Sequence, residues 1–418
     1  MATPTGPLAG NSPGPLAGLR VLDLSRVLSG PWATQTLGDL GAEVIKVEEP
    51  KMGDLFRTSP PHIKDRDGRP APRESSLYLA TNRNKKSITV NIASDEGRDL
   101  VRGIAAKSDV LLENFRPGTL PKRGLGYEDL SGENPGLIYC SVSGFGQTGP
   151  YALKGGYDST FQAISGMMSY TGQPDGSPGE GPLRTGPSLC DISAGMYATV
   201  AIVTSLYHRT KSGRGQYIDL GMLDTTLAMI SHQAMGVLAA GQDAPRAGNE
   251  SPFGAPSGVF PCRDKPVMLN ATQDTSFKSL CEVLGIAQVA SDERFVRYGS
   301  RVKNRAALNP LIAERTRELN AATLIAQLEA KGLAAAPVNT TLQAYEDPHI
   351  RHRNMLREVP HPIAGTLKMV ASPLNFSATP LTRYEAPPLL GEHTGEVLGE
   401  LLGIDAAELE RLRAAGAV

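Results

Sequence analysis

Asp191 is the residue whose type and position first suggest chemistry. It stands alone at the head of an apolar, small-residue segment over residues 187–209, PSLCDISAGMYATVAIVTSLYHR. The spacing predicts a long helix that begins near Asp191. A carboxylate at a helix start commonly accepts backbone N–H groups as an N-cap. This segment alone favours that structural role.

Basic residues occur next to two predicted strands. Arg26 directly follows a buried-strand pattern over 19–25, at the strand end where parallel sheets bind their ligands. This position favours a ligand-binding role for Arg26 over a purely structural one. The basic segment NRNKK, residues 82–86, is as typical of a solvated turn before a strand as of a ligand site.

Several familiar catalytic patterns do not fit this chain. GFGQTG at 144–149 matches GxGxxG, but PYALKGG follows it and would not sustain the helix that a dinucleotide site requires. The sequence has neither a P-loop nor a GxSxG nucleophile elbow. Its four cysteines form no CxxC pair, which predicts no structural zinc or other metal site and indicates a reducing, cytoplasmic environment.

The predicted elements around these residues alternate between strand and helix. Helices are predicted at 31–41 and 94–109, and each lies between two strands. This alternation indicates crossover connections and a mainly parallel sheet covered on both faces. The strands are predicted at 19–25, 42–48, 86–92, 110–115 and 136–146.

The length of 418 residues exceeds what one core usually holds, so we expect two domains. Residues 1–16, rich in Pro, Gly and Ser, predict a mobile tail. Residues 17–224 form the first part of a large domain. Residues 225–345, with a hairpin and helices at 274–285 and 305–331, form a smaller α+β domain. Residues 346–418 return to the large domain or wrap around a partner.

The composition excludes several classes of partner. Lys and Arg total 42 against 43 Asp and Glu, a formal charge of −1, which argues against nucleic acid or an anionic membrane as the main ligand. The longest apolar runs are interrupted by polar residues or glycine, so no transmembrane span is predicted. The N-terminus lacks the charged and apolar regions of a secretory signal.

An ordered set of motifs resembles the class III CoA-transferases, a group that includes formyl-CoA and carnitine CoA-transferases and α-methylacyl-CoA racemase. The motifs run from about residue 17 to the C-terminus: VLDLSRVLSGPWATQTLGDLGAEVIKVEEP, NRNKKSITVNI, ENFRPG, GYD, CDISAGMYA, SGRGQYIDLGMLD and LLGEHT. The resemblance implies an α/β fold with a large Rossmann-like domain, a smaller domain and an interlaced homodimer. It implies no permanently bound cofactor, because a coenzyme A thioester is the substrate.

The resemblance also implies a role for Asp191, which matches the family nucleophile at the head of a D-x-x-x-G helix. A helix N-terminus should favour the ionised, attacking form of this carboxylate. Tyr157 and Asp158 match positions that orient the acyl group, although Asp158 is equally typical of the N-cap of a helix over 159–169. Gly254 and Gly258 match a loop that stabilises oxyanions.

Contacts to coenzyme A are implied by position in the same motifs. Phe115 is also compatible with an ordinary core position. The implied contacts are Arg26, Val27, Leu28, Ser29, Asn84, Lys85, Asn114 and Phe115, with Lys122 or Arg123.

The expected reaction moves coenzyme A from an acyl-CoA, with succinyl-CoA as the expected donor, to a small dicarboxylate through an aspartyl anhydride and an aspartyl–CoA thioester. Leu28 stands where formyl-CoA transferases have glutamine, which argues against oxalate or formate. The alternatives are a racemase and a non-catalytic CoA-binding protein. The racemase branch has histidine where this chain has Tyr157, and tyrosine is a poor base near neutral pH.

Overall fold

The computed structural model describes residues 13–418. Two compact units make up the chain: the first contains 13–164, 187–229 and 348–418, and the second contains 165–186 and 230–347. Residues 165–186, expected in the large domain, therefore belong with the smaller unit. Residues 1–12 of the predicted tail lie outside the described residues. Leu16, also in that predicted tail, donates its backbone N–H to Leu40 O at 2.8 Å and packs on the core.

The strands are β1 Arg20–Asp23, β2 Glu43–Glu48, β3 His62–Lys64, β4 Pro70–Ser75, β5 Lys85–Thr89, β6 Val110–Glu113, β7 Ile138–Ser143, β8 Gly172–Gln173, β9 Gly181–Pro182, β10 Tyr217–Gly221, β11 Ser257–Phe260, β12 Val267–Asn270, β13 Ala334–Pro337, β14 Leu356–His361 and β15 Gly365–Val370.

The α-helices are α1 Ser29–Asp39, α2 Ser76–Leu79, α3 Asp95–Ala105, α4 Tyr127–Ser131, α5 Asp158–Ile164, α6 Leu189–Ser212, α7 Met222–Met229, α8 Ser231–Ala240, α9 Asp274–Val283, α10 Tyr298–Lys303, α11 Arg305–Thr316, α12 Ala321–Glu329, α13 Thr341–Glu346, α14 Pro348–His352, α15 Thr394–Leu402 and α16 Ala406–Ala414.

A six-stranded parallel sheet, in the order β10-β7-β6-β1-β2-β5, forms the centre of the first unit. Alternate residues of each strand point to opposite faces. Val21 packs with α1 and α6 on one face, whereas Leu22 packs with α3, α15 and α16 on the other. The prediction of an α/β fold with a parallel sheet covered on both faces is confirmed.

The second unit has its own antiparallel sheet, β11-β12-β13, and a core that includes residues of α9, α11 and α12. The predicted hairpin is present as β11 and β12. The helix expected over 305–331 is two helices, because the chain turns between Thr316 and Ala321. The hairpin β14–β15 was not predicted from the sequence.

Buried ion pairs fix the loops at the carboxyl ends of β1 and β2. A lone buried charge is very costly, so each of these groups depends on its partner. The pairs are Lys46 with Asp54 at 2.9 Å, Lys85 with Asp23 at 3.0 Å, and Arg57 with Glu48 at 2.7 Å.

Among the described residues, α6 is the one helix long and apolar enough to cross a membrane by length and composition. The core helix of a soluble protein passes the same test. One side of α6 packs on the parallel sheet and α1 through Ala194, Ala198 and Ile202. These contacts explain the apolar composition of α6 on its inner side.

Candidate active site

A cavity of about 360 Å³ opens among the loops of the first unit and brings several predicted site residues together. It lies at the carboxyl ends of β6 and β7, where parallel sheets bind ligands. The predicted site residues that line it are Val27, Ser29, Asn114, Phe115, Tyr157 and Asp191. Tyr157 is 83% exposed, so its ring stands at an open part of the wall.

Asp191 is the third residue of α6 and does not cap the helix. Ser188 occupies the N-cap position without a side-chain cap bond. The carboxylate of Asp158 supplies the bonds instead, because its Oδ1 accepts the Cys190 N–H at 2.8 Å and the Asp191 N–H at 3.4 Å. The capping role that the sequence suggested for Asp191 therefore belongs to Asp158, the first residue of α5.

The protonation of Asp191 differs from the sequence expectation. Burial, with a further contribution from the Asp158 carboxylate, raises the pKa of Asp191 to about 7. The helix N-terminus was expected to favour ionisation, but loss of hydration and a like charge outweigh it. A carboxyl group with such a perturbed pKa in a cavity is typical of a functional site.

Gly195 explains why α6 can approach α1 closely. A Cβ at this position would lie 2.8 Å from Ser29 O and 3.0 Å from Trp32 Cβ, so a larger residue would push the helices apart. Asp191 lies one helical turn before Gly195, and Ser29 also lines the cavity. The D-x-x-x-G motif thus places the carboxylate beside the loop that precedes α1.

That loop has a strained residue at its centre. Val27 has φ of 73°, which is unusual for a β-branched side chain and costs about 1–3 kcal/mol. The Asp54 carboxylate holds this conformation by accepting the Val27 N–H at 3.1 Å. Asp54 also pairs with Lys46 and accepts the Phe56 N–H. Strain of this kind is typical of ligand-binding loops.

The loops after β1 and β6 are fastened to each other. Asn114 Oδ1 accepts the Arg26 N–H at 3.0 Å, and Asn114 Nδ2 donates to Arg26 O at 2.8 Å. The Arg26 guanidinium lies over the Phe115 ring, 4.7 Å from its centroid. Glu113 accepts the Phe115 N–H at 2.7 Å. Arg26, Asn114 and Phe115 therefore form one rigid wall.

A second cavity, of about 320 Å³, shares Phe115 with the first. Arg26 and Arg123 line it, as do Lys46 and Asp54. Lys46 is committed to Asp54, so Arg26 and Arg123 are the cations available to an anionic ligand here. Lys122, next to Arg123 in a short 3₁₀ turn, is exposed and lies outside this lining.

Asn84 and Lys85 do not lie where a ligand could reach them. Lys85 is buried, and its ammonium donates to Asp23, Pro31 O and Asn82. Asn84 is buried and bonded to Asp39 and to the backbone of Glu385. The structure corrects the expectation that Asn84 and Lys85 contact coenzyme A, because both side chains are buried and make hydrogen bonds within the protein.

The remaining predicted residues lie outside the cavity. Leu28 precedes α1 and accepts the Trp32 N–H, while its neighbours Val27 and Ser29 line the cavity. Gly254 and Gly258 belong to the second unit. A Cβ at Gly254 would lie 2.6 Å from Thr272 Cγ2, and one at Gly258 would lie 3.1 Å from Asn249 O. Close packing within that unit accounts for both glycines.

Asp54 and Lys154 were missed by sequence reasoning. Asp54 is the aspartate of the GD pair after EEPKM, and only the fold shows that it reaches Val27. Lys154 lines the cavity with Asp191. The two glycines that follow it, in LKGGYD, were the available signal for a loop close to a ligand.

The reactivity of Asp191 should follow its ionisation. We expect the rate of acyl transfer to Asp191 to rise with pH and level off above a midpoint near 7, since only the carboxylate attacks.

In Asp158→Asn the neighbouring charge is lost but an oxygen remains for the Cys190 N–H, so the midpoint of this pH profile should move down. The shift should be partial, because burial is the larger cause. Single-turnover rates across a pH series would measure both midpoints, and an unchanged midpoint in the variant would contradict this account.

Comparison with known proteins gives consistent similarities. The model of CoA-transferase family III matches residues 16–394. The chain is 41% identical to a succinate–glutarate CoA-transferase of Agrobacterium fabrum, over 94% of this chain and 96% of that protein. It is 36% identical to the human succinyl-CoA:glutarate CoA-transferase, over 97% and 90% of the two chains. A CAIB/BAIF family protein from Brucella suis has a crystal structure with a TM-score of 0.84, 40% identity and coverage of 93% and 99%.

Proposed function

Since the chain belongs to CoA-transferase family III, we propose that it moves coenzyme A from succinyl-CoA to a small dicarboxylic acid with Asp191 as the nucleophile. The observation that carries the proposal is a carboxylate in a cavity at the strand ends, freed from capping by Asp158. Relatives named for succinate and glutarate support the substrate class. No permanent cofactor or metal is part of this proposal.

The first half of the reaction would proceed in two attacks. The ionised Asp191 attacks the thioester carbonyl carbon, the carbon–sulfur bond breaks, and CoA leaves as the thiolate, which gives a mixed anhydride. The thiolate then attacks the Asp191 carbonyl carbon and expels the donor as its carboxylate. An aspartyl–CoA thioester remains.

The second half reverses these steps with the acceptor. Its carboxylate attacks the aspartyl–CoA carbonyl and releases the thiolate, and the thiolate attacks the acceptor carbonyl of the new anhydride. Asp191 is regenerated as a carboxylate. Every step exchanges one acyl bond for another with no net proton transfer, so the reaction needs positioning rather than an external energy source.

The two cavities suggest how coenzyme A would bind. We propose that its phosphates lie near Arg26 and Arg123, and that the pantetheine arm passes Phe115 to bring the thioester to Asp191. Phe115 lines both cavities, and the charges available to an anion in the second cavity lie on Arg26 and Arg123. Guanidinium groups are well suited to phosphate oxygens.

We also expect a homodimer, in which the resemblance implies interlaced chains. Met196, Val200, Val203 and Tyr207 form an exposed apolar stripe on α6, with exposed fractions of 59%, 61%, 37% and 63%. Such a face on the helix that carries Asp191 favours a protein interface. Light scattering would measure the mass, and a monomer at micromolar concentration would contradict the expectation.

The test of the function looks for the covalent intermediate. The enzyme is incubated with succinyl-CoA in D₂O, quenched with hydroxylamine, and the Asp191 peptide and acyl-CoA are examined by mass spectrometry. A hydroxamate at Asp191 without deuterium in the acyl chain is expected. An unmodified Asp191 with a panel of acyl-CoA donors would contradict the proposal. Deuterium at the α-carbon without an adduct would instead indicate a racemase.

A further inference from the structure

Two cationic side chains line the cavity that contains Asp191. They are Lys154, in the loop before α5, and Arg116, in the loop after β6. The Arg116 guanidinium lies against the Lys154 loop, because a Cβ at Gly155 would be 3.3 Å from Arg116 Nη2. The Lys154 ammonium lies 3.6 Å from the centre of the Tyr151 ring. Both residues therefore line the cavity that contains Asp191, and the Arg116 guanidinium lies beside the backbone that follows Lys154.

Neither cation has an acidic partner among residues 13–418. Within residues 13–418, no carboxylate lies in ion-pair contact with Lys154 or Arg116, although most other cations near the sheet edge are paired. The face of an aromatic ring attracts an ammonium group but does not neutralise it. Both charges thus remain available to an anionic ligand.

The two cations are also separated from the nucleophile. Neither makes an ion pair with Asp191, and burial and Asp158 alone account for the pKa of that carboxyl group. A cation close to Asp191 would have favoured its ionised form. The cavity is therefore lined by a carboxylate and by two cations that do not form an ion pair with it. That arrangement fits a substrate with a reactive carboxyl group at one end and a charged group at the other.

From this arrangement, and resting on the proposed function, we propose that Lys154, assisted by Arg116, binds the free carboxylate of the dicarboxylic acid whose other carboxyl group reacts at Asp191. Lys154 is thus a specificity-determining residue that distinguishes dicarboxylates from monocarboxylates. The same contact holds the free carboxylate of a donor such as succinyl-CoA. A monocarboxylate of equal length leaves the cations without a partner.

The test compares glutarate with pentanoate, which has a methyl group in place of the second carboxylate. In Lys154→Met, the ratio of kcat/KM for glutarate to that for pentanoate should fall roughly tenfold or more, as expected for the loss of a charged hydrogen bond. Lys154→Arg should keep most of the wild-type ratio. The exposed Lys278, in the second unit, provides a matched control, and Lys278→Met should leave the ratio unchanged.

Two readouts separate this proposal from its alternatives. The dissociation constant of free coenzyme A, measured by calorimetry, should be unchanged in Lys154→Met. A CoA affinity that falls by the same factor as glutarate turnover would assign Lys154 to coenzyme A and overturn the inference. An unchanged glutarate-to-pentanoate ratio would overturn it as well. A wild-type enzyme that forms the Asp191 adduct but shows no preference for glutarate refutes this inference alone. A wild-type enzyme that forms no adduct refutes the proposed function, and the inference that rests on it.

Discussion

Replacing Asp191 by asparagine should reduce CoA transfer by about four orders of magnitude or more, because the amide is not a nucleophile. Affinity for free coenzyme A should stay within severalfold of wild type. The side chain of Asp191 makes no hydrogen bond to the described part of the protein, and Asp158 caps α6 independently. Turnover of succinyl-CoA and glutarate, with calorimetric binding of coenzyme A, would measure both effects.

The same variant should be more stable than wild type at neutral pH. Since the folded-state pKa of Asp191 is about 7 and the ordinary value is 3.8, the folded protein binds the extra proton between these values and loses stability as pH rises through that window. Asparagine removes this cost. The melting temperature of the variant should therefore exceed that of wild type by more at a pH near 8 than at a pH near 4. If Asp191→Asn lowers the activity, the CoA affinity and the melting temperature together, Asp191 has a structural role instead.

Replacing Asp54 by asparagine should lower the free energy of unfolding by about 3–5 kcal/mol, the usual effect of breaking a buried ion pair. Burial by itself would lower the pKa of Lys46, but Asp54, with Asp23 and Glu48, raises it above its ordinary value. The variant leaves the buried Lys46 ammonium without its direct partner at 2.9 Å. Urea unfolding at neutral pH would measure the loss.

Asp54→Ala, which removes the acceptor oxygen that Asp54→Asn keeps, should also weaken coenzyme A binding, because the carboxylate holds Val27 in its left-handed conformation. Combining it with Val27→Gly separates the two roles. Glycine adopts positive φ without strain, so the double variant should regain CoA affinity but little of the lost stability. Recovery of both quantities together would show that Asp54 acts only through the backbone of Val27. Recovery of neither would confine the role of Asp54 to its ion pair.

Predictions from the sequence succeeded where local pattern and packing agree. The apolar spacing of 19–25 and 42–48 is reproduced by β1 and β2, and the helix predicted over 94–109 appears as α3. The position of Asp191 at the start of a helix was also predictable, because a long run of mostly apolar and small residues follows it. Motif order identified the family, which the comparisons confirm.

Predictions failed where distant residues decide the outcome. Lys85 resembles an exposed cation in the sequence. In the fold its ammonium is buried and forms an ion pair with Asp23, which lies 62 residues earlier. Asp191 resembles an N-cap in the sequence. In the fold Asp158 of α5, 33 residues earlier, accepts the N–H groups at the start of α6 instead. The sequence also gives no sign that Asp54 supports Val27. In each case the deciding contact joins two segments that are far apart in the sequence, and the periodicity of neither segment predicts it.

The cap that Asp158 provides gives position 191 an unusual freedom. Helix α6 obtains its terminal hydrogen bonds from a side chain on another helix, so its folding places no demand on the functional group at 191. Selection can alter the chemistry at this position without rebuilding the scaffold. An engineer could likewise install glutamate, serine or cysteine there and compare nucleophiles within one unchanged framework.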